Sequence, residues 1–121
     1  DENPKAVVIG GPPAYLAGLV KQENIQIGLQ NLEKIAQSVP TTILDHHLLR
    51  QDDWRELVQP AFNAAEKAGH SIFTAAEFLK NENALLESRR KELYEVEPPS
   101  AEFEKWMRMS ISRRKITPPP I

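Results

Sequence analysis

The sequence contains no cysteine. Disulfide bonds are therefore excluded, and so is every metal site that depends on thiolate ligands. A transition metal bound to this chain would have to be held by histidine, aspartate or glutamate side chains. The three histidines, His46, His47 and His70, are consequently the first residues to consider for a metal site.

The sequence also has little net charge and no long apolar run. Its formal net charge is -2, which gives no overall basic face of the kind that nucleic-acid-binding proteins usually carry. Nucleic acid stays possible as a substrate, although the charge does not indicate it. No apolar stretch approaches the roughly 18 residues of a membrane-spanning helix, and the first residues do not resemble a signal peptide. We therefore expect a soluble, cytoplasmic protein without membrane contact.

The first half of the chain has the pattern strand, helix, strand. Residues 5–10 form a short apolar run that ends at the Gly-Gly-Pro-Pro sequence of residues 10–13. This is typical of a central parallel strand, buried on both faces, followed by a sharp turn. Apolar side chains then recur at helical spacing over residues 23–39. The β-branched run Thr41–Asp45 predicts a second strand, which leads directly into two histidines.

A second helix is predicted from the apolar side chains that recur between Trp54 and Ala68. Asp52 or Asp53 is placed to cap its start. Pro60 should kink or split this helix, because proline lacks the donor of the helical hydrogen bond. Gly69 suits the left-handed position that follows a helix C-terminus.

The alternation of strands and helices predicts an α/β fold. Residues 70–73 form a third short strand, and Thr74 and Glu77 have the spacing of a capping box. A helix should begin there, pass or break near residues 81–83, and continue to Tyr94. The resulting order, β-α-β-α-β-α, predicts a small parallel sheet with right-handed crossovers.

We assign residues 1–95 to this α/β part and residues 96–121 to a C-terminal helix and tail. Ser100 is placed to cap the helix, which carries Trp106 on its apolar side. A basic stretch, Arg113-Arg114-Lys115, leads into three consecutive prolines. We expect the tail to dock through Trp106 and then to fray.

The strongest candidate site is Asp45-His46-His47. Ligands of open parallel sheets bind beyond the carboxyl ends of the strands, and this triplet directly follows the second strand. Imidazoles and carboxylates are ligands that zinc, manganese and iron accept. Because successive side chains of extended backbone point to opposite sides, we expect one of the two histidines to be the direct ligand. An ordinary polar loop is the alternative interpretation.

Other candidate residues have simpler interpretations. Residues 10–13 are better explained by a tight turn, and His70 by the start of a strand. Arg50, Arg89 and Arg90 could bind an anionic substrate. Glutamates flank the last two, however, so a solvated, charge-balanced helix face is the simpler explanation for them.

Four segments occur together in a fixed order in this chain. They are VIGGPPAYL at residues 8–16, ILDHHLLR at residues 43–50, TAAEFL at residues 74–79 and LESRRKELY at residues 86–94. With the basic, proline-ended tail, they resemble an uncharacterised, mainly archaeal family of metallo-β-lactamase-fold proteins. The resemblance spans nearly the whole chain. Members of that family are much longer, so the resemblance implies that this chain is their C-terminal part.

The resemblance implies a metal-dependent hydrolase with an αβ/βα sandwich fold, of which this chain is the C-terminal portion. The family's ligands are a His-x-His-x-Asp-His motif, a further His, a bridging Asp and a late His. Only the late His has a counterpart here, the pair His46-His47. The implied cofactor is a divalent metal, zinc first and manganese or iron as alternatives, bound only with the missing upstream motifs. The implied reaction is attack of metal-activated water on an ester-type or phosphodiester bond. We expect the chain by itself to be inactive.

Two other interpretations stay open. Asp45-His46-His47 is also the signature triplet of DHH-type phosphoesterases, although the other aspartate motifs of that superfamily are not visible in this sequence. Alternatively, the chain is a non-catalytic α/β assembly module whose histidines are structural and whose last helix or basic tail mediates assembly. If the chain is instead half of a metallo-β-lactamase sandwich, the missing half would leave an apolar sheet face uncovered. We therefore expect it to contact the remainder of the parent chain or to self-associate.

Overall fold

The computed structural model describes residues 3–120, and these divide into two units, the first ending at Arg89 and the second beginning at Arg90. The described part of the first unit contains the strands β1 (Ala6–Ile9), β2 (Thr41–Leu44) and β3 (Ser71–Thr74) and the helices α1 (Gln22–Ser38), α2 (Trp54–Leu57), α3 (Gln59–Ala68) and α4 (Ala75–Phe78). Short 3-10 helices, Ala14–Leu16 and Leu48–Arg50, follow β1 and β2. The second unit contains α5 (Arg90–Val96), α6 (Ala101–Met107) and α7 (Ile111–Ile116). None of these helices is long and apolar enough to cross a membrane.

The three strands form a parallel sheet in the order β1-β2-β3. Helix α1 connects β1 to β2, and helices α2 and α3 connect β2 to β3. Strand β2 is therefore central, and its register places Ile43 beside Val8 on one side and Phe73 on the other. These findings confirm the predicted α/β class, the β-α-β-α-β-α order and the small parallel sheet.

Helices α1 and α3 pack against one face of the sheet. Parallel partners in register point to the same side, so Ile9, Leu44 and Ile72 share this face. Small side chains on the two helices, such as Ala36 and Ala61, let the helices lie close to the strands. The buried cluster that results has nine members: Leu32, Ala36, Leu44, Leu48, Trp54, Val58, Ala61, Ala65 and Ile72.

The opposite face of the sheet is only partly covered. It carries Ala6 and Val8 of β1, Ile43 of β2 and Phe73 of β3, and Val8 is 66% exposed. The prediction that β1 is a central strand, buried on both faces, is therefore wrong, because β1 is an edge strand of the described sheet. The apolar residues of a strand show that both of its faces can be buried. Which face is actually covered depends on where the crossover helices pack.

Local signals fixed the ends of the helices in most cases. Pro60 splits the predicted second helix, since α2 ends before it and α3 contains it in the first turn, where its missing N–H is not needed. Gly69 ends α3 with a left-handed φ of 71°. The predicted cap of α2 is wrong in one respect. Asp53 occupies the N-cap position, but its side chain makes no capping hydrogen bond in the described structure.

The helix predicted from Thr74 to Tyr94 is two helices, α4 and α5. The capping box at its start is present, because the Glu77 N–H donates to Thr74 Oγ1 at 3.1 Å and the Thr74 N–H donates to Glu77 Oε2 at 2.9 Å. Lys80 then adopts a left-handed φ of 60°, and the chain is not helical at residues 81–83. Of the two predicted outcomes, passing or breaking near these residues, the break is the correct one. The predicted continuation to Tyr94 is wrong over residues 84–89, because the chain is helical again only from Arg90.

Elements α5 to α7 make up the second unit, and the predicted domain limit at residue 95 falls within α5. Ser100 caps α6 as predicted, its hydroxyl accepting from the N–H of Phe103 at 3.1 Å. The indole N–H of Trp106 donates to the carbonyl of Thr117 at 2.7 Å, so the tail does dock through this tryptophan. Where the sequence predicts a fraying tail, the three basic residues form helix α7.

Thr42 provides a stability prediction. Its side chain is fully buried in β2, and its hydroxyl has no hydrogen-bond partner within residues 3–120. Burying a hydroxyl without a partner costs roughly 1–3 kcal/mol, and valine has nearly the same shape. We expect Thr42→Val to raise the free energy of unfolding by about 1 kcal/mol, as measured by chemical denaturation.

Thr74→Val is the matched control for this prediction. Thr74 is as deeply buried as Thr42, but its hydroxyl accepts from the Glu77 N–H and donates to Asn83. The same substitution should therefore lower the free energy of unfolding at this position, by roughly 1–3 kcal/mol. Two changes of the same sign would contradict the assignment of an unpaired hydroxyl to Thr42.

Candidate functional site

The loops that follow β1 and β2 meet at the carboxyl end of the sheet. The backbone N–H of Asp45 donates to the carbonyl of Ile9 at 3.0 Å, and the N–H of His47 donates to the carbonyl of Gly10 at 3.0 Å. These two bonds continue the pairing of the strands beyond their ends. They fix the triplet Asp45-His46-His47 against the loop that begins at Gly10.

The loop after β1 contacts helix α1 at Gly28. A Cβ atom added to Gly28 would lie 2.7 Å from the Cβ of Pro12, closer than two carbon atoms can approach without a shift. Glycine at this position therefore allows Pro12 to contact the helix. The chain then enters the 3-10 helix Ala14–Leu16, which places Tyr15 beside His47. Residues 10–13 thus form the predicted turn, and this turn also positions Tyr15.

His47 is held by a chain of hydrogen bonds. The Tyr15 Oη lies 3.2 Å from His47 Nδ1, and the two rings stack with centroids 5.7 Å apart. Arg50 Nη1 donates to the same hydroxyl at 3.0 Å, and its guanidinium carbon lies 5.0 Å from the Tyr15 ring centroid. Because a guanidinium only donates, the hydroxyl oxygen accepts from Arg50. Its contact with His47 is either a donation to Nδ1 or, in the tautomer that is protonated at Nδ1, a second acceptance. Among the residues that the structure describes, His47 Nε2 has no hydrogen-bond partner.

The two histidine rings do not point to opposite sides, which corrects the expectation from extended backbone. His46 has a left-handed φ of 58°, so the chain turns at this residue and brings the two rings edge to face, with centroids 4.4 Å apart. Arg50 Nη2 lies 3.3 Å from His46 Nε2, which therefore accepts from it. His46 is exposed, whereas His47 is half-buried.

The environment of His47 lowers its pKa below the ordinary value of a histidine. Partial burial is the largest cause, and the charge that His46 carries when protonated and the charge of Arg50 act in the same direction. Each cause disfavours the imidazolium. His47 is therefore neutral at neutral pH, which is the form of histidine that binds metals.

One ring nitrogen of this site has the surroundings of a single metal ligand. In the tautomer that carries its proton on Nδ1, His47 donates to the Tyr15 hydroxyl and leaves the lone pair of Nε2 without a partner among the described residues, as metal-ligating histidines usually do. His46 is less suitable, because a metal at its Nε2 would face the permanent positive charge of Arg50. Asp45 is exposed. In the described part of the chain, no three histidine or carboxylate side chains come together to hold a metal ion.

The loop after β3 contains a separate network around Glu77. Thr74 Oγ1 donates to Asn83 Oδ1 at 2.6 Å, Asn83 Nδ2 donates to Glu77 Oε1 at 2.8 Å, and Arg55 forms an ion pair with the same carboxylate. Burial raises the pKa of Glu77, but the hydrogen bonds from Thr74 and Asn83 and the charge of Arg55 outweigh it, so the pKa lies below its ordinary value. This network joins α2, β3 and α4 and has a structural role.

Three further candidates lie apart from the triplet. His70 directly precedes β3, and its Nδ1 donates to the carbonyl of Ala36 at 3.2 Å, which ties the strand to helix α1. Arg89 and Arg90 are exposed, and each has an interaction of its own. Tyr15 is the site residue that sequence reasoning missed. The signal for it was an aromatic residue just after a turn at the carboxyl end of the neighbouring strand.

The chain is similar to archaeal proteins that carry the name UPF0282. It is 40% identical over 96 residues to one from Saccharolobus islandicus, which covers 78% of this chain and 31% of that protein. It is 40% identical over 102 residues to one from Pyrobaculum islandicum, with 84% and 32% covered, and 42% identical over 96 residues to one from Pyrobaculum neutrophilum, with 78% and 30% covered. No protein-family model matches the chain, and no solved structure gives a significant match.

These relatives support a relationship to an uncharacterised, mainly archaeal family, as the sequence resemblance implied. The chain spans about a third of the length of the curated relatives it matches, 31% in the case of the Saccharolobus islandicus protein. Their printed name states no activity.

The Glu77 network leads to a prediction about stability at low pH. Since the folded-state pKa of Glu77 lies below its ordinary value of 4.5, its contribution to stability is complete above that value and is lost as the pH falls through the folded-state pKa. We expect Glu77→Gln to lower the free energy of unfolding at pH 7 and to reduce its dependence on pH below 4.5. Denaturant titrations at a series of pH values would measure both effects. Glu82→Gln, at an exposed position nearby, is the control, and an equal effect there would contradict the prediction.

Proposed function

We propose that this chain is the C-terminal part of a metal-dependent hydrolase of metallo-β-lactamase fold and that it contributes one metal ligand, His47. The observation that carries the proposal is the arrangement of His47 at the carboxyl end of the central strand, with Nδ1 held by Tyr15 and Nε2 without a partner among the described residues. The remaining ligands would come from residues outside this chain. The resemblance to the metallo-β-lactamase family and the greater length of the archaeal relatives support this assignment.

The proposal gives each residue of the site a distinct task. When bound, a divalent metal, zinc first and manganese or iron as alternatives, would polarise the scissile ester-type or phosphodiester bond and lower the pKa of bound water toward about 7. His47 would donate its Nε2 lone pair. Tyr15 would fix the orientation of the His47 ring, and Arg50 would hold the Tyr15 hydroxyl in place. Asp45 stays a candidate for a further ligand, since its carboxylate is exposed.

The partly covered sheet face supports the proposal that the rest of the parent chain packs against this unit. Val8 is 66% exposed on that face, and Phe78, which contacts Phe73 with ring centroids 6.2 Å apart, is 51% exposed. Parallel sheets of α/β proteins are normally covered on both faces. In its isolated form the chain should use the same face for self-association. A cytoplasmic location stays part of this proposal.

Replacement of the two histidines in the full-length parent protein tests the metal assignment. His47→Ala should remove a direct ligand and, with it, stoichiometric metal and hydrolysis of a generic phosphodiester or ester. His46→Ala should leave metal bound and lower its affinity or the activity by about 10 to 100-fold at most. Metal content by elemental analysis and initial rates would be measured for both variants. Unchanged metal content in both would remove the triplet from the metal site and favour the non-catalytic assembly module.

Replacement of Val8 tests the proposed role of the sheet face. We expect the isolated chain to self-associate, and Val8→Asp should shift it to monomer, because a buried charge in an apolar contact is strongly unfavourable. Sedimentation velocity over a range of concentrations would measure the change. Leu19→Asp is the control, since Leu19 is 87% exposed and lies outside the sheet. A monomeric wild-type chain, or equal effects of the two substitutions, would contradict the prediction.

A further inference from the structure

Arg50 forms no ion pair with a carboxylate among residues 3–120. Its two hydrogen-bond partners are the hydroxyl of Tyr15 and the imidazole of His46, neither of which is an anion. Arg55 offers a direct comparison in the same unit. It also lies over an aromatic ring, that of Trp54 at 4.7 Å, but it forms an ion pair with Glu77.

The guanidinium of Arg50 has N–H groups that make no hydrogen bond to the described residues. A guanidinium has five N–H groups, and two of them are used for Tyr15 and His46. Arg50 is half-buried and lines an open pocket of about 320 Å³, together with His46 and the apolar side chains of Leu49 and Leu85. The stacking on Tyr15 restricts the guanidinium to one region. The geometry therefore holds a guanidinium without an ion-pair partner among the described residues at a cavity next to the proposed metal ligand.

We propose that Arg50 binds a phosphate group of the substrate. Arginine binds both carboxylates and phosphates through paired hydrogen bonds, but a carboxylate has only two oxygens, which such a pair uses up. A tetrahedral phosphate has further oxygens. His46 Nε2 accepts from Arg50 and so helps to fix the guanidinium beside the pocket. Arg50 thus acts on the substrate and His47 on the metal.

Two carboxylates line the same pocket and limit the affinity. They belong to Asp45, which is exposed, and Glu87, which has an interaction of its own. Both repel an anion, so the chain alone should bind phosphate weakly. Removal of one of these charges, as in Asp45→Asn, should strengthen binding.

The assignment of this phosphate to a substrate rests on the proposed hydrolase function, whereas the binding itself is measurable without metal. Inorganic phosphate would be titrated into the 121-residue chain at pH 7.5 and constant ionic strength, with NMR detection of the Arg50 guanidinium and the His46 ring. We expect saturable shifts. Arg50→Gln should weaken binding by at least about tenfold, the loss expected for hydrogen bonds to a charged group. Arg50→Lys, which keeps the charge but not the paired donors, should be intermediate.

Arg55→Gln is the matched control, because it removes a guanidinium that is already paired with Glu77. It should leave phosphate affinity unchanged, and its amide spectrum and that of Arg50→Gln should show a folded chain. Non-saturable shifts, equal losses in the two variants, or equal affinity for acetate would overturn the inference.

Measurement of the metal content of the full-length His47→Ala and Arg50→Gln variants distinguishes the phosphate proposal from the hydrolase proposal. If only His47→Ala loses metal and phosphate does not bind, the phosphate site fails and the hydrolase proposal stands. If phosphate binds and neither variant loses metal, the His47 assignment fails instead.

Discussion

Two leucines on either side of the histidine pair determine where the site lies. Leu44 ends strand β2 and Leu48 begins the 3-10 helix after it, and both are fully buried in the same apolar cluster. Burial of each leucine contributes roughly 1.5–3 kcal/mol. The three residues between them have to bridge two fixed points, and the left-handed φ at His46 is the turn that closes this short distance. The positions of the two imidazoles are thus a consequence of core packing.

The same packing explains why His46 and His47 have different surroundings. Arg50 follows Leu48 by two residues in the 3-10 helix, so it lies on the side of the turn that faces Tyr15 and His46. A permanent cation there lowers the suitability of His46 for a metal, yet through Tyr15 it supports the orientation of His47. One arginine therefore distinguishes two adjacent, chemically identical side chains.

The sequence predicted those features that depend on local chemistry. The strands, the split at Pro60, the left-handed Gly69 and the capping box of Thr74 and Glu77 were each signalled by residues within a few positions of them. Features that depend on contacts across the fold were not predictable in this way. The pairing of Tyr15 with His47 joins residues 32 positions apart.

The exposure of β1 also depends on contacts across the fold. Its apolar run indicates that the strand can be buried, but it does not indicate which element covers it. The same limit applies to the choice between the two histidines. Side chains alternate only within a strand, and β2 ends at Leu44, before the two histidines. The left-handed backbone of His46 then brings the two rings together.

The contact between Pro12 and Gly28 links the site to a helix that contributes no side chain to it. Glycine costs a helix interior roughly 0.5–1 kcal/mol relative to alanine, so drift toward alanine at position 28 would favour the helix itself. Such drift would displace the proline ring and, with it, the tyrosine three residues further along. Across related sequences the two positions should therefore change together, with a larger residue in the helix accompanied by a smaller one in the turn. Positions 12 and 28 are thus under joint constraint, although neither contacts the imidazole they help to place.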